Sequence, residues 1–287
     1  MRKFAVIDIG SNSVRLMFVA DGKVLYKSLN TTRLGEGIAQ TRQLNEAAIE
    51  RSALAVTQFF VKAKEEGAEK VFAFATAAVR SAENRKEFLD RVKTLCGLSI
   101  EVISGEEEAE IGILGALGNA DGGVIDVGGA STEIVVKQKG VLVYKKSVDV
   151  GVVRLKDKCS RAQAALEETA MEAAKVYGEI PADTLYAIGG TATTLAAQKL
   201  GLQEYQSEKI TGAVITAAEM QTLADKLSAM TVEEIAALPC MPKGRADVLL
   251  GGAVLLATLM RALKIKKLIV SDRDNLEGYA IKHGYME

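Results

Sequence analysis

A chain of 287 residues, 48% hydrophobic and 25% charged, has the composition of a folded globular protein and the length for two domains, each with its own core. Its net charge of −1 excludes a globally basic, nucleic-acid-binding surface, so a polyanionic ligand would have to meet a local positive site. Three widely spaced cysteines, Cys96, Cys159 and Cys240, give neither a C-x-x-C pair nor a disulfide framework and point to a reducing cytoplasm, while the single histidine, His283, excludes a multi-histidine metal centre.

At the N-terminus Arg2 and Lys3 precede an apolar run that Asp8 interrupts at once, which argues against a signal peptide. The run VIDIGSNSVRLMF from Val6 predicts strand, tight turn, strand, the turn passing through Gly10, Ser11, Asn12 and Ser13. Such a turn offers backbone N–H groups and hydroxyls to an anion, and the aspartate before it can hold a metal. Residues 30–37 form a polar connection, 45–66 a helix and 70–75 a strand running into TAAVRSAEN, where Arg80 is suited to a bidentate phosphate contact. Residues 85–96 form a helix closed by Gly97, and 99–103 a short strand. The following SGEEEA predicts a helix whose Ser104 and Glu107 make a capping box. Glu108 shares a face of that helix with Gly112 and Gly115, a face stripped of side chains where something else approaches closely.

The polar NADGG at 119–123 is the joint between domains 1–120 and 121–287. Beyond it, VIDVGGASTEIVV at 124–136 repeats the N-terminal pattern, with Asp126 leading into Gly128, Gly129, Ala130 and Ser131. Laying Asp8 on Asp126 without a gap also pairs Gly10 with Gly128, Ser13 with Ser131, Gly22 with Gly140 and Lys27 with Lys145. An internal duplication follows: two α/β lobes whose turns can face a phosphate chain in the cleft between them. Residues 151–155 form a connection that places Arg154 as Arg33 is placed in the first lobe. A helix at 161–177 and a strand at 185–188 lead to a third glycine–hydroxyl turn, Gly189, Gly190 and Thr191, at a helix N-terminus of the kind that receives phosphates. Helices at 217–230, 233–238 and 246–262 follow, the last a buried one too short to span a bilayer, then a strand at 266–271 and a final short helix expected to pack back on the first lobe.

Three such turns describe a polyphosphate clamp, with Asp8, Asp126 and Glu133 as candidate ligands for Mg²⁺. The set IDIGSNSVRL, TAAVRSAEN, VISGEEEA, VIDVGGASTE, GGTATT, GRADVLLGG and NLEG spans nearly the whole chain and resembles the exopolyphosphatase/guanosine pentaphosphate phosphatase (Ppx/GppA) family. The resemblance implies an α/β fold of two duplicated actin-like (ribonuclease H-like) lobes with an interdomain cleft. It further implies a Mg²⁺-dependent hydrolase releasing terminal phosphate from polyphosphate, with pppGpp as a second substrate. In the family the last glutamate of the SG-x-E-E-A motif activates the attacking water, and that position is Glu108. Its like-charged neighbours Glu106, Glu107 and Glu110 are expected to raise its pKa. A cytoplasmic homodimer is expected, with neither nucleic acid nor membrane as partner. The competing enzyme class is an ATP-dependent small-molecule kinase or ATPase of the same superfamily, and the rival outside enzymology is a non-catalytic sensor. Three positions depart from the family pattern: Ala130 replaces the usual third glycine, and Glu110 and Glu277 stand where arginines are common.

Overall fold

The computed structural model describes residues 3–286, so Arg2, the first basic residue of the N-terminal pair, lies outside the described residues. The first sheet opens with an antiparallel meander, β1 (Lys3–Ile9), β2 (Val14–Ala20) and β3 (Lys23–Asn30). After α1 (Ile38–Thr41) and α2 (Glu46–Glu65) comes β4 (Lys70–Ala75), and after α3 (Ala77–Ser81) and α4 (Arg85–Cys96) the short β5 (Glu101–Val102). Helix α5 (Gly105–Leu117) then leads to a second meander, β6 (Gly122–Val127), β7 (Thr132–Gln138) and β8 (Val141–Val148). It is followed by α6 (Val152–Cys159), α7 (Gln163–Tyr177), β9 (Thr184–Ile188), α8 (Gly189–Leu200), α9 (Ser207–Ile210) and β10 (Val214–Thr216). The chain continues through α10 (Ala217–Ser228), α11 (Val232–Ala236), α12 (Ala246–Ala262) and β11 (Lys267–Val270) to α13 (Asn275–Lys282).

The first sheet has the order β3-β2-β1-β4-β5 and the second β10-β11-β9-β6-β7-β8. Read from β8, the second repeats the first, with β9 and β11 in the places of β4 and β5 and β10 added antiparallel at the edge. These are the duplicated ribonuclease H-like lobes of the actin-like fold.

Strand alternation sends successive side chains to opposite faces of each sheet. In β1, Ala5, Ile7 and Ile9 join the core under α2 and α4, while Phe4 and Val6 face the opposite way. In β7, Ile134 and Val136 join the core built from α7, α10 and α12, and Val135 faces away. The two remaining faces are covered crosswise. Helix α13, at the C-terminal end, lays Leu276, Tyr279 and Ala280 on the first sheet. Helix α5, which follows the first sheet, lays Ala109 and Ile113 on Val124, Val135 and Ile188 of the second.

The two crossing helices touch backbone to backbone. A Cβ at Gly115 would overlap the Asp274 carbonyl, and one at Gly278 would overlap that of Ile111. A Cβ at Gly112 would stand 3.0 Å from Asn275 Oδ1. The body that approaches the bare face of α5 is therefore α13.

Helix α4, strand β4 and helix α12 have the limits expected from periodicity. The strand expected over 99–103 shrinks to two residues because only Phe74 and Ala75 offer it a partner and Ser104 caps α5 immediately afterwards. The segment read as a connection at 151–155 opens α6 instead, since the Val152 and Val153 N–H groups donate to the Gly128 and Gly129 carbonyls at 3.0 and 2.7 Å and start a helix there. The short α1, α9 and β10 are additions that the hydrophobic pattern does not signal.

Gly115→Ala is expected to destabilise the chain by about 3 kcal/mol, since backbone has no rotamer with which to yield. Urea unfolding followed by circular dichroism measures it.

Candidate active site

The β1–β2 turn is closed by the Gly10 N–H donating to the Ser13 carbonyl at 3.0 Å, and the β6–β7 turn by Gly128 N–H to Ser131 at the same 3.0 Å. The duplication thus holds at the level of single hydrogen bonds. Between the turns lies a cavity of about 90 Å³ lined by Asp8, Gly10, Ser11, Asn12 and Ser13 from one lobe and Asp126, Gly128, Gly129, Ala130 and Ser131 from the other. Glu108 and the third turn, Gly189, Gly190 and Thr191, also line it. Of the residues singled out from sequence, Arg80 and Glu133 do not.

Each carboxylate has a distinct setting. Asp8 Oδ2 accepts from Arg15 Nε at 3.0 Å and from Nη2, and Arg15 Nη1 crosses to Asp274. Asp126 Oδ2 accepts from Asn275 Nδ2 at 3.0 Å. Beside it Gly189 has φ +80, and a Cβ there would stand 2.6 Å from Asp126 Oδ1, so this third turn needs glycine on both counts. Glu108, in the first turn of α5, accepts from Arg80 Nη1 at 2.9 Å, and the same nitrogen donates to the Ile103 carbonyl at 3.0 Å. Arg80 is therefore turned toward the glutamate rather than into the cavity. Glu133 Oε1 accepts from Ser147 Oγ at 2.6 Å on the neighbouring strand. The Thr191 hydroxyl donates to the Val127 carbonyl at 3.1 Å, which leaves backbone N–H groups of α8, rather than this hydroxyl, to meet a ligand.

Burial dominates the electrostatics. It raises the carboxyl pKa of Asp8 against the opposing pull of Arg15, and that of Glu108 against Arg80. It lifts Asp126 to about 8, with Glu108 and Asp274 adding to the rise, and carries Glu133 well above the ordinary range. The expected cause of the Glu108 shift is corrected here. Glu107 is drawn off into the Ser104 capping box and onto Lys282, and Lys145 takes Glu106 and Glu110 at 3.2 and 3.0 Å, so the like charge that acts on Glu108 is Asp8.

Sequence reasoning missed Arg15, Arg245 and Asn275, all of which line the cavity. Arg15 was within reach: the alignment that pairs Asp8 with Asp126 also pairs Arg15 with Glu133, and both pairs face each other across their hairpins. Arg245 is a buried guanidinium packed against Gly190, with no carboxylate partner among the described residues, and burial together with Arg15 pulls its pKa down to about 10. The Glu277 departure also has a structural account. It is the N3 residue of the Asp274 capping box on α13 and pairs with Lys27 Nζ at 2.7 Å.

The sequence model of the Ppx/GppA phosphatase family matches residues 19–284. Exopolyphosphatase 2 of Mycobacterium tuberculosis is 32% identical over 98% of both chains. The guanosine-5'-triphosphate,3'-diphosphate pyrophosphatase of Vibrio vulnificus is 30% identical over 98% of this chain and 58% of its own length. Among solved structures, a Ppx/GppA family member from Aquifex aeolicus superposes with a TM-score of 0.79 at 31% identity, over 98% of this chain and 97% of that one. An exopolyphosphatase from Cytophaga hutchinsonii superposes with a TM-score of 0.87 at 25% identity, over 100% and 99%.

An aspartate held at a pKa of about 8 binds a proton in the folded state that it releases near pH 4 when unfolded, so its ionisation opposes folding as pH rises between those values. In chelator-treated buffer, Asp126→Asn is expected to gain stability on the parent chain between pH 5.5 and 8, by on the order of 3 kcal/mol, in urea titrations at the two pH values.

Proposed function

We propose that this chain, which belongs to the Ppx/GppA phosphatase family, is a phosphoanhydride hydrolase that releases the terminal phosphate of inorganic polyphosphate and of pppGpp by attack of water activated by Glu108. The single observation that carries this is a buried carboxylate, Glu108, on the wall of a small cavity whose two sides are the paired turns. Relatives named exopolyphosphatase and guanosine-5'-triphosphate,3'-diphosphate pyrophosphatase support the phosphoanhydride class.

In this reading the turns at 10–13 and 128–131 hold phosphate oxygens through backbone N–H groups and hydroxyls, and the N-terminus of α8 at Gly189, Gly190 and Thr191 adds its unpaired N–H groups. Arg15 and Arg245 supply the local positive charge that an overall charge of −1 does not. Glu108 takes the proton of the attacking water. Desolvation that raises its pKa makes it a stronger base once ionised, and Arg80 restrains that rise while fixing the carboxylate's direction. Catalysis is then chiefly positioning and charge stabilisation.

A divalent cation suits the donor set. Asp8 and Asp126 present hard oxygens to the cavity, and Asp8 Oδ1 is buried without a hydrogen-bond partner among the described residues, whereas Glu133, the third candidate, lies outside the lining. No group of three or more His, Cys, Asp or Glu residues able to hold a metal occurs among the described residues. Mg²⁺ needs only one or two carboxylates beside water and substrate phosphates. Asp8 and Asp126 would hold it, and its chemistry is neutralisation of phosphoryl charge. The lobes are taken as 1–120 and 121–287, with α13 returning to the first. A cytoplasmic homodimer completes the proposal: the three cysteines are free, no described helix is long and apolar enough to cross a membrane, and sedimentation velocity tests the dimer.

Glu108→Gln is expected to lower phosphate release from tripolyphosphate by about 100-fold or more, with added Mg²⁺ restoring activity to chelated parent protein but not to the variant. Because Glu108 works ionised, kcat rises with pH through its raised pKa. Arg80→Met removes a lowering influence and is expected to move that acidic limb to higher pH. Phosphate transfer from ATP to a small acceptor, or an unchanged Glu108→Gln rate, would sink the proposal.

A further inference from the structure

The two turns are held from behind by a matched pair of arginines. Arg33 N–H donates to the Asn12 carbonyl at 2.9 Å, and Gly35 N–H to that of Ser11 at 2.8 Å. In the second copy Val153 and Arg154 N–H groups donate to the Gly129 carbonyl at 2.7 and 3.3 Å. Each guanidinium then leaves its own lobe. Arg33 Nη2 meets Asp247 Oδ2 on α12 at 2.8 Å, and Arg154 Nη2 reaches Ser81 Oγ on α3 at 3.5 Å.

The pair is unequal. Arg154 finds a hydroxyl at that long distance and Asp149, 3.8 Å away and exposed. Arg33 finds a carboxylate that is only 17% exposed, shared with Lys156 of the carboxylate's own lobe at 2.8 Å. Two further bonds join the same rim, Thr31 Oγ1 to the Lys243 carbonyl and Gly37 N–H to Asp157 Oδ2, both 2.8 Å. Arg33 also occupies a left-handed backbone conformation, φ 53, which glycine would adopt without cost. The lobes it joins are close: a Cβ at Gly129 would stand 2.7 Å from Ser11 Cβ across the cleft.

We propose that Arg33 is a positioning residue: its ion pair with Asp247 latches the two lobes closed, and its backbone carries that closure to the first phosphate turn. The proposal rests on the hydrolase reading above. Only the closed arrangement brings both turns to one phosphate, so apparent affinity scales with the closed fraction, while saturating substrate closes the lobes by its own binding.

The test compares tripolyphosphate hydrolysis with Mg²⁺, and small-angle scattering without substrate, in the parent chain and in Arg33→Gly, Asp247→Asn, their double variant and Lys156→Met. Arg33→Gly keeps the left-handed backbone and its N–H while deleting the guanidinium. Either single variant is expected to raise KM about tenfold with kcat within about twofold, the double variant to be no worse than the single ones, and Lys156→Met to match the parent. Radius of gyration should rise in Arg33→Gly, in Asp247→Asn and in their double variant, and stay at the parent value in Lys156→Met. An unchanged KM in Arg33→Gly, additive losses, or equal effects of Lys156→Met and Asp247→Asn overturn the latch. If circular dichroism shows Arg33→Gly unfolded, Arg33→Lys, which keeps the charge, decides: KM between parent and Asp247→Asn supports the latch, and KM at or beyond that of Asp247→Asn overturns it. Should the parent chain release no phosphate, the hydrolase reading fails, and scattering alone judges the latch: identical curves for parent and Arg33→Gly overturn it.

Discussion

Where α5 crosses α13, no side chain separates Gly115 from the Asp274 carbonyl or Gly278 from that of Ile111. Contact at backbone distance fixes the rotation of each helix about its own axis, because any turn would drive a side chain into the partner's peptide groups. Both helices begin beside the cavity, and both close their first turn with a capping box of their own, Ser104 with Glu107 and Asp274 with Glu277. What their first turns present to the cavity is therefore settled by the crossing: Glu108 from one, Asn275 from the other. The site inherits its geometry from a packing contact that carries no chemistry.

The charge pattern shows how a duplicated scaffold becomes an asymmetric site. The paired hairpins share turn bonds and leading aspartates but diverge at one cross-strand position, where Arg15 faces Asp8 and Glu133 faces Asp126. One half of the floor is thereby partly neutralised and the other carries two buried carboxyl groups with raised pKa values. A buried negative cluster of this kind is costly to ionise in isolation.

Much of this was legible in the sequence because repetition is a strong signal. The twin turns, the lobe order, the capping box at Ser104 and the bare face of α5 all follow from residue types at fixed spacing. What escaped is what depends on distance in space rather than along the chain. Arg80 has the right chemistry for phosphate yet lies against Glu108, because α3 faces the first turn of α5. Glu133 shares a sheet face with Asp126, its cross-strand partner, yet it lies outside the cavity lining, with its Oε1 held by Ser147 on the neighbouring strand. Arg245 sits at the start of a helix whose pattern announces only a buried stem, and nothing local marks it as an uncompensated cation.

The crosswise covering of the two sheets bears on whether either half could stand alone. Cut at the joint, neither half keeps the helix that supplies most of the cover on the second face of its own sheet: α5 belongs by sequence to the first half and lays Ala109 and Ile113 on the second sheet, giving the first only Ile111, and α13 belongs to the second half and covers the first sheet. A single repeat would therefore leave much of one apolar face uncovered. The helix that shields most of each sheet's second face thus comes from the other half of the chain, so neither sheet completes its covering without its counterpart.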